Sequence, residues 1–356
     1  MRILQVIAVM GQGGAERMAL QLATDGVRHG EPAAIAAVPG DWADRVPGSG
    51  AQFYPIPLLR RSPLAVAEGV RALRGAVNTF RPDIVHTHNV VVTAGMRGAL
   101  TTMRHRPRML TTFHGTPPER YRRAALLLRG TTPHIVACSA SVGRKLADAG
   151  YPAGRIEVIP NGARLEPATP GRIDAARERY GLTAERTVVV GVGRLVPQKA
   201  WHLLIEAAES IEGADIVVAG TGELHEELAA QAAARGGRVR FLGPVDDVAA
   251  VLACADCFVS TSRWEGLPLT LLEALSLGVP AVSTAVDGVA DVITEDAAVL
   301  VPPGAPAAVA REVQRVLDDP THAAQLSAAA NLLAADWAPE LMIERYRDAY
   351  RRLIGR

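Results

Sequence analysis

At 356 residues, 49% hydrophobic but only 4% aromatic, the chain is too long for one ordinary core and too apolar for disorder, so two domains of Ala/Val/Leu-rich layers are expected. Three cysteines exclude a disulfide framework, and no window approaches the roughly 20 apolar residues that span a bilayer. The net charge of +1 conceals an asymmetry, because residues 1–165 carry 21 Lys+Arg against 10 Asp+Glu and residues 166–356 carry 17 against 27; either the first half faces an anionic partner or two oppositely charged domains attract.

The opening run MRILQVIAV stops at a glycine cluster after about eight apolar residues, too soon for a signal sequence. It reads as a first strand and points to a cytoplasmic protein. Strands are then expected near 33–38, 52–56, 83–87, 108–113, 134–138 and 156–160, with helices such as 14–28 and 63–79 between them. The Pro- and Gly-containing stretch 161–185 is the expected boundary. Beyond it, strands recur near 187–193, 215–219, 238–242, 256–260, 280–284 and 297–301. After Trp337 comes an amphipathic helix with Leu341, Met342, Tyr346, Tyr350 and Leu353 near helical spacing. Strands alternating with helices throughout imply an α/β fold of two Rossmann-like, doubly wound domains, with ligands at the carboxyl ends of the strands, across a cleft.

Those strand ends carry the candidate chemistry. Gly13 and Gly14 open the first helix, where backbone amides can approach a phosphate; Glu16 stands where a dinucleotide fingerprint needs Gly or Ala, which weakens an NAD reading, and a plain tight turn is the alternative. In GVGRLVPQK, Gly193 and Arg194 follow a strand and lead to a helix whose first turn is expected to hold Pro197 and Lys199; the two cations then clamp a diphosphate. Lysine is scarce, with only Lys145 and Lys199 beside 36 arginines, which favours a site needing a compact ammonium over a merely solvated charge. In EGLPLTLLE, Pro268 is the natural first helical residue, Glu265 lies in the preceding loop, and Glu273 sits inside the helix. Two carboxylates can read sugar hydroxyls, Glu265 on a transferred sugar and Glu273 on a ribose, while the Gly266 and Leu267 amides face a phosphate; the alternative is one capping acid and one acid paired to arginine. His86 and His88 alternate onto one strand face and read as packing and cleft lining, since a metal pair lacks a third ligand. Cys254 and Cys257 read as two small buried residues at a helix end and a strand start.

Taken in order, GQGGAER, TTFHG, CSASV, IPNGA, GVGRLVPQK, VAGTGEL, FLGPV and STSRWEGLPLTLLEALSLGVP resemble the retaining family-4 glycosyltransferases of GT-B fold over nearly the whole chain. The resemblance implies residues 1–165 plus 338–356 as the acceptor-side domain and 166–337 as the nucleotide-sugar domain, the last helix returning to the first. By the same resemblance, Arg194 and Lys199 neutralise the donor diphosphate, Glu265 holds the donor sugar and Glu273 the ribose. His114 lies near the transferred sugar and Gly13 and Gly14 near the phosphates. Two stretches depart from the family pattern: Ala163-Arg164 replaces Val-Asp, and Asp287-Gly288-Val289-Ala290-Asp291 replaces a Gly-Gly-x-x-Glu turn, which puts the donor-sugar contacts there in doubt.

The implied reaction moves a sugar from a nucleoside-diphosphate sugar, a UDP-sugar foremost, to an acceptor hydroxyl with retention, in cell-surface glycan or glycosylated natural-product synthesis. No cofactor is expected, the nucleotide-sugar being a co-substrate, and no metal, because the Asp-x-Asp chelating device is absent. The arginines of MRHRPR and PERYRRAALLLRG flank an apolar run that suits peripheral contact with the inner face of an anionic membrane, or else an ordinary solvated helix. No nucleic-acid partner is implied. A nucleotide-sugar epimerase of related architecture and a noncatalytic nucleotide-sugar binder are the rival readings.

Overall fold

A computed structural model describes residues 1–57, 62–183 and 185–355. Ala184 in the expected boundary stretch and Arg356 at the end of the final segment lie outside the described residues. The chain forms two compact units, Met1–Asn161 with Glu340–Arg356, and Gly162–Pro339.

The first unit holds a seven-stranded parallel sheet of β1 (Ile3–Val9), β2 (Ala33–Val38), β3 (Gln52–Pro55), β4 (Ile84–Thr87), β5 (Arg108–Phe113), β6 (Ile135–Ala137) and β7 (Ile156–Val158). Their spatial order is β3-β2-β1-β4-β5-β6-β7, so the winding direction reverses between β1 and β4, where open α/β sheets bind ligands. Alternation puts Leu4, Val6, Ala34, Ala36 and Val85 into one apolar layer. Ile3, Ile84, Leu110 and Val136 go to the other, beneath Met342, Tyr346, Ala349 and Tyr350 of the last helix, Pro339–Ile354. Leu341, expected on that buried stripe, is instead exposed; it directly precedes Met342, and adjacent residues on a helix point about 100° apart.

The second unit is a six-stranded parallel sheet of β8 (Thr187–Val192), β9 (Ala214–Ala219), β10 (Val239–Gly243), β11 (Cys257–Ser260), β12 (Ala281–Thr284) and β13 (Val299–Val301). The order β10-β9-β8-β11-β12-β13 reverses between β8 and β11. Val188, Val190, Val217 and Phe258 face one core, and Val189, Ile216, Val218, Val259 and Val282 face the other. The near-continuous valine runs of these strands follow from burial on both faces.

The stretch 161–185 is not a plain linker. It contains the helix Pro170–Tyr180, begun by proline at its first position and ended by Gly181 in the left-handed conformation (φ 59°). Ala176 is buried against the second unit's core, and Arg172 makes a bidentate pair with Asp247 at 2.7 Å. Five of its eleven residues are charged, and they mask one narrow apolar stripe of Ile173 and Ala176. Cys254 caps the helix Val248–Ala253 and Cys257 starts β11, both buried and free, as expected. Among the described residues no helix is long and apolar enough to cross a membrane.

Candidate functional site

The strand-to-helix loop after β8 starts the candidate site in the second unit. It lies tightly against the loop after β9, because Gly220 and Gly222 lack side chains. A Cβ on Gly220 would stand 2.1 Å from the Gly193 carbonyl oxygen and one on Gly222 2.3 Å from that of Leu195. Gly193 N donates to Ala219 O at 2.9 Å, Leu195 N to Thr221 O at 2.8 Å, and Leu224 N to Leu195 O at 3.0 Å. Trp201 Nε1 ties the loop from the other side by donating to Arg194 O at 3.0 Å.

Pro197 and Lys199 do not occupy the first turn of the following helix. That helix is Trp201–Ala207, and Ala200 before it adopts the left-handed conformation at φ 50°, which a helix cannot pass through. The conformation costs about 1–2 kcal/mol in a residue with a Cβ; Thr261 Oγ1 holds the turn by donating to Lys199 O at 3.0 Å. The turn directs Lys199 to the loop after β11. Its Nζ donates to Glu265 Oε1 at 2.6 Å, and both side chains are largely buried.

Glu265 is the hub of that loop. Ser262 Oγ donates to its Oε1 at 2.7 Å and Gln198 Nε2 to its Oε2 at 3.1 Å. Gln198 also donates to Trp264 O and accepts from Arg263 N through its own carbonyl, while Thr284 Oγ1 donates to Ser262 O at 2.7 Å. A carboxylate offers about four acceptor positions, so these three donors leave room for one more, such as a ligand hydroxyl. The β8 and β11 loops are thus bridged at the point where the sheet order reverses.

Pro268 caps rather than begins the helix Leu269–Ser276, since its ψ of 119° is extended. Gly266 and Leu267 precede that cap and are buried, and Glu273 is the fifth helical residue, 1% exposed. Arg194 is exposed on the same loop as Lys199. The structure therefore gathers Gly193, Arg194, Lys199 and Glu265 on the two loops at the reversal point, with Gly266, Leu267 and Glu273 continuing from the second of them. Asp287–Val292, which departs from the family pattern, is a short helix following β12.

In the first unit, Gly13 caps the helix Gly14–Arg28, and the Glu16 carboxylate folds back to within 2.2 Å of where a Gly13 Cβ would be. His114 follows β5 and lines a cavity of about 320 Å³ with Ala8, His88, Asn89, Val90 and Phe113. His86 and His88 do share one face, their ring centroids 4.2 Å apart. Burial holds all three imidazoles neutral: His114 falls to about 4, His86 to about 3 with His114 adding to the effect, and His88 well below 6.5.

Gln198, Thr261, Ser262, Thr284, Gly220 and Gly222 were missed as site residues in the sequence. The glycines had a signal, since VAGTGEL follows a strand and two closely spaced glycines there mark close backbone approach. The hydroxyl and amide donors had none, because Ser and Thr at strand ends serve turns far more often than sites.

Two Rossmann-like units, each with its order reversal and loops of this kind, define the GT-B architecture. Residues 172–332 match the family of glycosyl transferases group 1 and residues 12–166 match glycosyltransferase family 4. The chain belongs to these family-4, group 1 glycosyltransferases. It is 30% identical over 215 residues to a 2-deoxystreptamine glucosyltransferase of Streptomyces kanamyceticus, covering 56% of this chain and 55% of that protein. It is 29% identical over 226 residues to the lipopolysaccharide core biosynthesis glycosyltransferase LpsD of Rhizobium meliloti, covering 62% and 64%. The matched part of the chain thus spans between about half and two thirds of these relatives' length. The crystal structure of Anabaena Alr3699/HepE in complex with UDP-glucose shares the fold, with a TM-score of 0.88 at 21% identity over 99% of this chain and 100% of that one.

Proposed function

We propose that this protein transfers a sugar from a nucleoside-diphosphate sugar, foremost a UDP-sugar, to an acceptor hydroxyl with retention of anomeric configuration. The observation that carries the reading is the Lys199–Glu265 pair, held by Gln198 and Ser262 at the reversal point of the second sheet. A diphosphate arriving there meets an ammonium already placed, the exposed Arg194 guanidinium and the amides of Gly266 and Leu267. As the anomeric C–O bond breaks, negative charge grows on the departing phosphate oxygen. Fixed donors aimed at that position lower the barrier because they need no reorganisation. Glu265, with acceptor capacity left, holds a hydroxyl of the transferred sugar, and Glu273 the ribose. In this reading the cations stand in for a divalent metal, so turnover survives EDTA.

The acceptor belongs to a cell-surface glycan or a glycosylated natural product; the similarity to the lipopolysaccharide core biosynthesis glycosyltransferase LpsD and to the 2-deoxystreptamine glucosyltransferase supports these two classes. Leu126 and Leu127 are exposed beside Arg122, Arg123 and Arg129 on the helix Tyr121–Thr131, which suits peripheral contact with an anionic membrane surface and a lipid-linked acceptor. Co-sedimentation with anionic vesicles that is lost at high salt tests that contact.

A hydrolysis screen across UDP-, GDP- and ADP-sugars tests the reaction. Slow release of the α-configured sugar from an α-linked donor, requiring Lys199, is the expected result. Isomerised donor without hydrolysis, or UDP binding with no release of UDP from any sugar nucleotide, refutes it.

A further inference from the structure

The buried polar groups of the first unit form one run of hydrogen bonds from the last helix to the cavity wall, and its donors can be assigned in order. Gln5, on β1, has one amide atom 2.7 Å from His88 Nε2 and the other 3.3 Å from Tyr350 Oη. The short contact suits N–H···O and is too short for N–H···N, while 3.3 Å is too long for an O–H···O bond and admits a weaker N–H···O. Gln5 Oε1 therefore faces His88, and Gln5 Nε2 donates to Tyr350. An amide oxygen only accepts, so the His88 proton sits on Nε2. His88 is neutral, which leaves its Nδ1 as an acceptor; His114 Nε2, 3.4 Å away, must then be the donor.

The run continues from Tyr350 to the rest of the last helix. Tyr350 Oη accepts from Gln5 and lies 2.7 Å from His86 Nδ1. His86 Nε2 lies 2.7 Å from Thr112 Oγ1, which lies 2.9 Å from Tyr346 Oη, so both His86 nitrogens are bonded and one of them donates. Gln5, His86 and His88 each have both side-chain polar atoms bonded, and satisfied buried groups hold one another in place.

We propose that Gln5, His88 and Tyr350 are positioning residues that hold His114 as its Nε2-protonated neutral tautomer, leaving the Nδ1 lone pair to accept a hydrogen bond from a substrate hydroxyl in the adjoining cavity. The tautomer follows from the hydrogen-bond geometry together with the burial of the rings, and its use toward a hydroxyl rests on the sugar-transfer reading. With the opposite tautomer Nδ1 would donate, and a hydroxyl oriented by it would turn its proton elsewhere. The last helix thereby acts on the site: Tyr350 anchors the Gln5 amide, whose orientation sets His88 and through it His114.

Protein labelled with 15N in histidine, examined by long-range 1H–15N correlation at pH 7, reads the tautomer directly, with the His114 signals identified by their loss in His114→Phe. A protonated Nε2 with an unprotonated Nδ1 is expected. A protonated Nδ1, a doubly protonated ring or averaged shifts in the wild type would overturn the proposal. Gln5→Leu and Tyr350→Phe, each with native circular dichroism, should move His114 to averaged shifts; two folded variants that leave it unchanged would remove Gln5 and Tyr350 from the positioning role. If the wild-type tautomer is as expected but His114→Phe transfers sugar at the wild-type rate, the tautomer stands and the assigned use of Nδ1 fails.

Discussion

Acidification from pH 7 to pH 5 should unfold the first unit while leaving the second intact. His86, His88 and His114 are all in the first unit, and all have pKa values depressed from 6.5, two of them to about 3 and about 4. A group whose folded pKa lies below its unfolded value stabilises the fold fully above the unfolded value, and that stability is lost as pH falls toward the folded one. At pH 5 the folded rings are still neutral, whereas the unfolded chain carries nearly all three protons. Each ring costs about 2 kcal/mol at pH 5 relative to pH 7, so the three together cost about 5–6 kcal/mol. That is comparable with the whole stability of a typical domain, about 5–15 kcal/mol. Urea titrations at pH 7, 6 and 5, followed by Trp42 fluorescence in a variant whose other tryptophans are replaced by phenylalanine, measure the effect. A loss under about 2 kcal/mol over that range would refute the buried-neutral account of the three rings.

Breaking the Lys199–Glu265 pair from one side should be worse than removing both charges. Lys199→Met strands a carboxylate whose side chain is only 8% exposed and should cost about 3–5 kcal/mol in chemical denaturation, whereas Lys199→Met with Glu265→Gln should recover much of it and still lack transfer activity. Gly222→Ala drives a methyl into the Leu195 carbonyl and should cost more than about 2 kcal/mol and weaken UDP binding by calorimetry. Burial pushes the Cys257 thiol up to about 12, so iodoacetamide at pH 8 should leave it unmodified until urea is added, as peptide mass analysis will show.

The fold was legible because burial of parallel strands on both faces writes itself as short valine- and alanine-rich runs. All thirteen expected strands, from Ile3–Val9 to Val299–Val301, form within a few residues of the expected bounds, although the edge strands β3 (QFYP) and β7 (IEV) are partly exposed and lack such a run. Sequence periodicity failed where one backbone torsion decides. Ala200 is an ordinary helix former, and only its left-handed φ keeps Lys199 out of the helix and turned toward Glu265. Scarcity of lysine marked Lys199, and the E-x7-E spacing marked Glu265 and Glu273, but no spacing rule joins residues 66 positions apart. The Gln5–Tyr350 contact spans 345 positions and was equally invisible. His86 and His88 could be placed on one face from alternation, while their neutrality depends on what covers that face.

Each sheet ties its two central strands together with one side-chain pair. At the reversal of strand order the neighbouring connections leave to opposite faces, so the ends of the two central strands are left without a helix directly above them. In the second unit that gap is bridged by Lys199 and Glu265, from the loops after β8 and β11. In the first, His88 just after β4 reaches back to Gln5, the third residue of β1, so the bridge lies within the sheet and not at the strand ends. One bridge is charged and the other neutral. A neutral bridge in the first unit keeps its cavity free of fixed charge, so a hydroxyl there meets a lone pair rather than a competing ion. On the proposed reading, the charged bridge in the second meets an incoming diphosphate with its ammonium already held in place by Glu265, whose one remaining acceptor position takes a sugar hydroxyl.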